Sequence, residues 1–406
     1  MNEINRKVKN KNLLVLSIAR LLHGFGVNMF SVIYQPFLLE LTNSLFITGI
    51  LISIGSIMQF LPMPLVGKLS DRYGRKNTIL TSIPLYIVGL LLLIISEINS
   101  FIVIILGIIL YYLGYTVNQL NNQFLVAENT DKSKGLIYSF MFFSYFIGGI
   151  VGNIFVIMGQ DINSRFYIFI FIIILGIEGL LFGFFLNMQF QKDKIMHHPN
   201  KEMNPQKEEK LFLKFIKDKK MRAILIFFSL DLLVYGTSLA IYNGGLVNYY
   251  GLTKEALALI VIWLNITNMI FQLPAGHLTD KIGKKKSLII SEIFGLGFFI
   301  INILTAILWS QGLISNVIPL LIVSHILFAF SIITFIPSQQ IILTDLGEKK
   351  KAESYGLVEF FRGLGFIPTG VIGALLVEKI NYIAPFVLTS IGIIIEIWIL
   401  LKYFHD

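Results

Sequence analysis

The 406-residue chain contains no cysteine. Disulfides, thiolate metal sites and cysteine nucleophiles are therefore excluded. Charge is scarce as well. Asp, Glu, Lys and Arg make up 14% of the residues, against roughly a quarter in ordinary soluble domains, too few to cover a water-facing surface. A Walker A sequence, G-x-x-x-x-G-K-[ST], is absent, so the chain encodes no ATPase of that type. No metal-ligand cluster or nucleophile constellation stands out. His197-His198-Pro199 lies in a polar stretch without a third ligand nearby, and neither a metal nor a cofactor is expected. These absences argue against an enzyme.

What the chain has in excess is hydrophobic residues, 55% of the total, with a mean hydropathy of +0.76. They fall into twelve runs of about twenty residues, each long enough to cross a bilayer. Numbered in order, the expected spans are Leu13–Leu39, Phe46–Val66, Thr78–Ser96, Phe101–Leu125, Leu136–Met158 and Phe166–Met188, followed by Ala223–Val247, Glu255–Ala275, Ser287–Trp309, Asn316–Ile342, Tyr355–Val377 and Ala384–Leu401. The first is too long and too polar for a cleaved signal peptide, and no small-residue cleavage site follows it.

The net charge is +9, and its placement reports topology. Of the 33 Lys and Arg, Arg165, Lys254 and Lys379 fall on one side, Arg20 and Arg362 lie inside spans, and all the others are on the second side. The positive-inside rule then puts both termini in the cytoplasm, in a multi-pass plasma-membrane protein touching anionic lipid. No nucleic-acid partner is expected. The polar stretch 189–220 reads as a cytoplasmic linker between a six-helix unit at 1–188 and another at 221–406.

The two units are related. Gly67-Lys68-Leu69-Ser70-Asp71-Arg72-Tyr73-Gly74-Arg75-Lys76 recurs 209 positions later as Gly276-His277-Leu278-Thr279-Asp280-Lys281-Ile282-Gly283-Lys284-Lys285. Both copies read as short basic loops between spans. The turn before span 2, Leu41-Thr42-Asn43-Ser44, matches Tyr250-Gly251-Leu252-Thr253 at the same offset. Further on the offset becomes 217, where Glu128 matches Asp345, Lys134 matches Lys351, Tyr138 matches Tyr355 and Gly148 matches Gly365. Parallel repeats of this kind place a substrate site between the halves at mid-depth.

The pattern G-x-L-[ST]-D-[RK]-x-G-[RK]-K resembles the loop between helices 2 and 3 of the major facilitator superfamily, and the second copy resembles that family's weaker repeat between helices 8 and 9. The resemblance implies an all-α integral membrane fold of twelve transmembrane helices in two pseudo-symmetric six-helix bundles. It also implies a carrier of small molecules, monomeric, working by alternating access. In that family the aspartate–arginine network latches the cytoplasmic side. Carried onto this chain, the latch comprises Gly67, Asp71, Arg72, Gly74, Arg75 and Glu128, with Gly276, Asp280, Gly283, Lys284 and Asp345 as its mirror. Asp71 is expected to dock near 355–362, and Gly67 and Gly74 to permit tight turns and close helix approach.

Spans 1, 4, 7 and 10 line the central cavity in the family, and each carries a polar stripe at helical spacing. Span 7 presents Asp231, Tyr235, Ser238 and Tyr242; span 4 presents Tyr111, Tyr115, Asn118 and Asn122. Span 10 offers His325, Phe328, Ile332, Phe335 and Gln339, and span 1 offers Arg20, His23, Val27, Ser31 and Tyr34. Such faces suit a small organic solute.

A charged group at bilayer depth is costly, about 2.5–3.5 kcal/mol on insertion scales. Asp231 is accordingly the leading candidate for proton coupling; permanent pairing with Arg20 and direct contact with the substrate are the alternatives. His325 is either a proton relay or a hydrogen-bonded buried histidine. Glu359 and Arg362 are spaced to pair on one helix, although Arg362 has the substrate and Asp71 as alternative partners. Glu178 and Glu396, at nearly equivalent positions in the peripheral spans 6 and 12, and Glu292 in span 9 bond to neighbouring helices or sit protonated.

The expected function is secondary transport, with proton-coupled export of a small, partly hydrophobic compound ahead of sugar or metabolite uptake. A transport-inactive sensor is the reading from another class. Two departures weigh against drug efflux in particular. Span 5 reads Gly148-Gly149-Ile150-Val151-Gly152-Asn153 with no proline, where drug:proton antiporters carry Gly-Pro-x-x-Gly-Gly, and Leu110 stands where their span 4 arginine would fall.

Overall fold

The structure, a computed structural model, describes residues 3–98, 100–128, 134–186, 219–346 and 351–404. Within these, side chains at 3–9, 123–124, 126–128, 134–139, 219–221, 223, 276, 280, 340–346 and 351–355 are not described. Among the described residues the secondary structure is helical, without strands. Twelve helices among the described residues are long and apolar enough to cross a membrane. In order they are Asn10–Thr42, Leu45–Tyr73, Arg75–Ile95, Phe101–Asn122, Phe140–Met158 and Ser164–Phe185, then Ile224–Tyr250, Lys254–Thr279, Lys284–Ser310, Ile318–Gln339, Gly356–Lys379 and Ala384–Tyr403.

Both halves assemble by the same plan. In the first, spans 3 and 4, 1 and 5, 1 and 6, 2 and 4, and 3 and 6 pack together; in the second the corresponding pairs are 9 and 10, 7 and 11, 7 and 12, 8 and 10, and 9 and 12. Glycines set the closest approaches. A Cβ at Gly148 of span 5 would lie 1.9 Å from the carbonyl oxygen of Leu21, and one at Gly365 of span 11 would lie 1.9 Å from that of Ser229. The glycine pair matched in sequence thus has the same effect in each half, bringing two helix backbones into contact.

The turn before each second span is duplicated in detail. Ser44 caps span 2 by accepting from the N–H of Ile47, and Thr253 caps span 8 by accepting from that of Ala256. Satisfying a free N–H at a helix start typically stabilises it by about 1 kcal/mol.

The repeated ten-residue motif is not the loop that its charge suggested. Its first copy continues span 2 as helix through Tyr73, and the second continues span 8 through Ile282. Gly67 is helical and buried rather than part of a turn. Each chain reversal takes place at one residue, Gly74 (φ 86°, ψ 147°) or Gly283 (φ 86°, ψ 158°), and the next helix starts at once. Those angles lie in a region essentially open to glycine alone. Gly74→Ala and Gly283→Ala should each lower stability by about 1–3 kcal/mol, read as a lower melting temperature in detergent. Unchanged melting would show that the turn relaxes freely.

The halves meet along spans 2 and 11 and along spans 5 and 8. Spans 2 and 11 are both broken at proline, into Leu45–Phe60 and Met63–Tyr73, and into Lys351–Phe366 and Thr369–Lys379. A Cβ at Gly49 would lie 2.3 Å from the Gly370 carbonyl oxygen, and one at Gly370 would lie 2.4 Å from that of Gly49. Closer to the termini, Phe60 lies under Gly363, and Gly356 crosses the backbone of Met63.

Candidate functional site

Span 7 is also interrupted, between Lys219–Leu239 and Tyr242–Tyr250, and here no proline is responsible. The freed backbone groups are taken up by Gln35 of span 1. Its Nε2 donates to the carbonyl of Ala240 at 2.9 Å, and its Oε1 accepts from the N–H of Gly244 at 2.9 Å. Irregular backbone inside a membrane persists only where something satisfies it, and one amide does so from the opposite half. The break in span 11 is treated alike, since the N–H of Val371 donates to Ser53 Oγ of span 2 at 3.2 Å. Asn243 Nδ2 adds a bond to the Ser31 carbonyl, and Lys254 Nζ donates to that of Ile162. These contacts zip the halves together at the face remote from the termini.

Gln35→Leu removes one donor and one acceptor from that seam. It should destabilise this closed arrangement by about 1–3 kcal/mol, seen as faster hydrogen exchange at Ala240 to Gly244. Protection equal to that of the parent would mean that the break satisfies itself.

Within each half, an inward-facing polar stripe meets a carboxylate on a neighbouring helix. In the first, Glu178 of span 6 is fully buried, with His23 Nδ1 at 3.1 Å and Asn118 Nδ2 donating at 3.2 Å. Asn122 Nδ2 donates in turn to Asn118 Oδ1 at 2.7 Å. In the second, Asp231 of span 7, Glu292 of span 9 and Glu396 of span 12 are all buried, each with a carboxylate oxygen within 4.8 Å of the other two. Tyr235 donates to Glu292 at 2.9 Å. Further along span 7, Ser238 meets Thr389 of span 12 at 2.7 Å, and Tyr242 donates to Asn302 of span 9 at 2.7 Å.

Sequence periodicity places these side chains on shared helix faces, and in this structure those faces are packed within each half. His23, Asn118, Asn122, Tyr235, Ser238 and Tyr242, expected to face a central cavity, are buried and bonded inside their own halves. The glutamates of spans 6, 9 and 12, expected to bond to neighbouring helices or sit protonated, are the groups that they or their neighbours meet. Tyr34 is buried in an aromatic cluster with Phe30, Tyr111 and Tyr112. His325 is buried, with Nδ1 at 2.8 Å from the Leu321 carbonyl and its ring against Tyr242 and Phe298.

The ion pair of Asp231 is made with Arg362 of span 11, at 3.7 Å, and not with Arg20. Arg362 also meets Glu359 at 3.3 Å, and Gln339 of span 10 donates to that same carboxylate at 3.3 Å. The guanidinium stands over the rings of Phe228 and Phe335 at 5.6 and 5.7 Å. Arg20 and Tyr115 keep partial exposure.

At the motif, Arg75 donates to Asp71 at 2.5 Å and to Ser70 at 2.6 Å, and Ser70 Oγ donates to Asn121 of span 4. Asp71 is 42% exposed, so this pair is worth about 1 kcal/mol at most. Arg72 is exposed and lies over the Tyr73 ring. In the second copy Thr279 meets Ser287, which donates to the Thr334 carbonyl of span 10. Lys284 is partly buried. The side chains of Glu128, Gly276, Asp280 and Asp345 lie outside the described residues.

The closing lysines of the motif have a role that sequence alone did not suggest. Lys76 donates to the carbonyls of Gly183 and Leu186 at 2.8 Å each, and Lys285 donates to that of Leu401 at 3.1 Å. Each copy thus clamps the last turn of its half's sixth helix, where free carbonyls and the helix dipole favour a cation. The recurrence of Lys at equivalent positions was the signal for it.

Two halves of six helices, packed on one plan and joined by polar contacts at broken spans, define a polytopic membrane carrier. The Major Facilitator Superfamily profile matches residues 16–243 and 223–406, and the chain belongs to that superfamily. It is a transporter of this type. Among solved structures it is similar to the nucleoside transporter NupG, at a TM-score of 0.75 and 15% identity over 97% of this chain and 100% of that one. It is similar also to the xylose transporter XylE from E. coli, at 0.73 and 14% over 98% of each chain. A POT family transporter in complex with 5-aminolevulinic acid gives 0.73 and 12% over 96% of this chain and 95% of that one. No curated protein matches the chain.

Proposed function

We propose that this transporter couples the movement of a small organic solute to protons by alternating access, and that it works as an exporter. The observation that carries the coupling is the buried pair between Asp231 and Arg362. Adding a proton to Asp231 removes the charge that holds Arg362. Arg362 belongs to span 11, whose next residue, Gly363, lies on Phe60 of the other half. A single protonation thereby has a mechanical route to the seam between halves. The units at 1–188 and 221–406, linked through 189–220, rock about that seam in a monomer whose termini are cytoplasmic. In the outward-open state the motif residues Asp71, Arg72 and Arg75 close the cytoplasmic side, with Asp280 and Lys284 as the mirrored set.

Uptake of a hydroxylated metabolite is the second reading. It is favoured by Tyr115 of span 4, which keeps partial exposure, and by the nucleoside and xylose named for two of the similar structures. A thermal-shift screen of purified protein at two pH values separates the readings. Stabilisation by amphipathic cations supports export, and stabilisation by sugars or nucleosides supports uptake. Failure of every solute class would favour a sensor that does not transport. In proteoliposomes, the compound found should accumulate only under an imposed pH gradient.

A further inference from the structure

We infer that Glu292 and Glu396 form with Asp231 one proton-binding cluster, in which the two glutamates share a proton while Asp231 pairs with Arg362. The inference rests on the reading of Asp231 as the coupling group and extends it from one carboxylate to three, on spans 7, 9 and 12.

Each of the three places an oxygen within 4.8 Å of the other two, and Glu292 and Glu396 are both 0% exposed. Three like charges so close, away from water, repel too strongly to coexist. The cation nearby is Arg362, which is engaged by Asp231 and Glu359. Among the described residues, Glu292 and Glu396 make no ion pair. Tyr235 of span 7 satisfies one oxygen of Glu292. The other Glu292 oxygen and both oxygens of Glu396 have no hydrogen-bond partner within ordinary distance.

The mirror-related carboxylate sharpens the contrast. Glu178 in span 6 accepts from Asn118 and faces His23, whereas Glu396 in span 12 has no such partners. A carboxylate fully buried without one is out of place unless a mobile species serves it. A proton fits better than a metal ion. A hard cation takes about six to eight oxygens, and beyond the carboxylates this cluster offers the Tyr235 hydroxyl, whose hydrogen goes to Glu292. A proton between Glu292 and Glu396 requires only their free oxygens to approach. In transport it would let Asp231 titrate beside a glutamate pair carrying one negative charge rather than two.

Infrared difference spectroscopy on the full-length carrier in liposomes tests this directly through the C=O stretch of a protonated carboxyl. The band should be present at neutral pH, shifted or weakened in Glu292→Gln and Glu396→Gln separately, and lost in the double variant. It should persist in Asp231→Asn. Because glutamine is a neutral isostere of protonated glutamate, each single variant should keep the parent's melting temperature, so the singles carry the test if the double variant does not fold. No difference in the band between the parent and either single variant overturns the inference. Saturable stabilisation by sodium but not potassium, abolished in Glu396→Gln, overturns it in favour of a metal site. If the band behaves as expected while Asp231→Asn still accumulates cargo down a proton gradient, the coupling role of Asp231 fails and the cluster stands. The reverse pattern removes the cluster and keeps Asp231.

Discussion

Asp231→Asn abolishes accumulation driven by a pH gradient while leaving solute exchange within about threefold of the parent, ~0.7 kcal/mol in the barrier. Asparagine keeps the shape of the protonated acid and cannot release a proton, so the carrier is held in one charge state. Exchange needs only the rocking motion with cargo bound and does not need that charge to change. Arg362 retains Glu359 at 3.3 Å in the variant, which protects the fold from an unpaired buried cation. The complementary change is harsher. Arg362→Met leaves Asp231, buried beside Glu292 and Glu396, without this counter-charge. Removing one member of a buried pair typically costs about 3–5 kcal/mol, so a clear loss of thermal stability is expected there. Proton-driven accumulation that survives Asp231→Asn unchanged takes Asp231 out of the mechanism.

Gly370→Val leaves each half able to fold but prevents the remote face from closing. Even the first carbon of the new side chain would lie 2.4 Å from the Gly49 carbonyl oxygen and 3.0 Å from Ser53 Oγ. Backbone on the opposite side cannot rotate away as a side chain can, so spans 2 and 11 must part. Overpacking of this kind costs about 1–3 kcal/mol. Here the cost falls on the closed state alone, because the contact exists only when the halves meet. The closed state's relative population should fall by about tenfold for each 1.4 kcal/mol. The absence of native cysteine makes the readout clean. With Ser53→Cys as the sole thiol, maleimide labelling should accelerate roughly tenfold in the Gly370→Val background, and transport should fall with it. Labelling at the parent rate would show that spans 2 and 11 do not separate at this point.

Much of the fold was legible in the sequence, though unevenly. The twelve spans follow from hydropathy because each helix must satisfy its own backbone in lipid. The duplication showed in residues with matching backbone roles, with Ser44 and Thr253 as caps, Gly74 and Gly283 as reversals, and Gly148 and Gly365 as close contacts. The motif was misread as a loop because charge usually marks water. Here the charges occupy the last helical turns of spans 2 and 8 and the first turns of spans 3 and 9, and from the latter Arg75, Lys76 and Lys285 reach a neighbouring carboxylate and carbonyls. Gln35 gave no signal at all, since a lone glutamine in a span does not reveal that another helix will break opposite it.

By itself the sequence determined the number and order of the helices, the relation between the halves and the residues that share one helical face. Those are local properties, set by hydropathy, 3.6-residue periodicity and backbone conformation. The tertiary structure decided which helix each face meets. It turned the stripes of spans 1, 4 and 7 towards Glu178, Glu292 and Glu396, gave Asp231 to Arg362 rather than Arg20, and set Gln35 into the break of span 7. Partners separated by some 60 to 210 positions are chosen by packing, and no spacing along one chain encodes that choice.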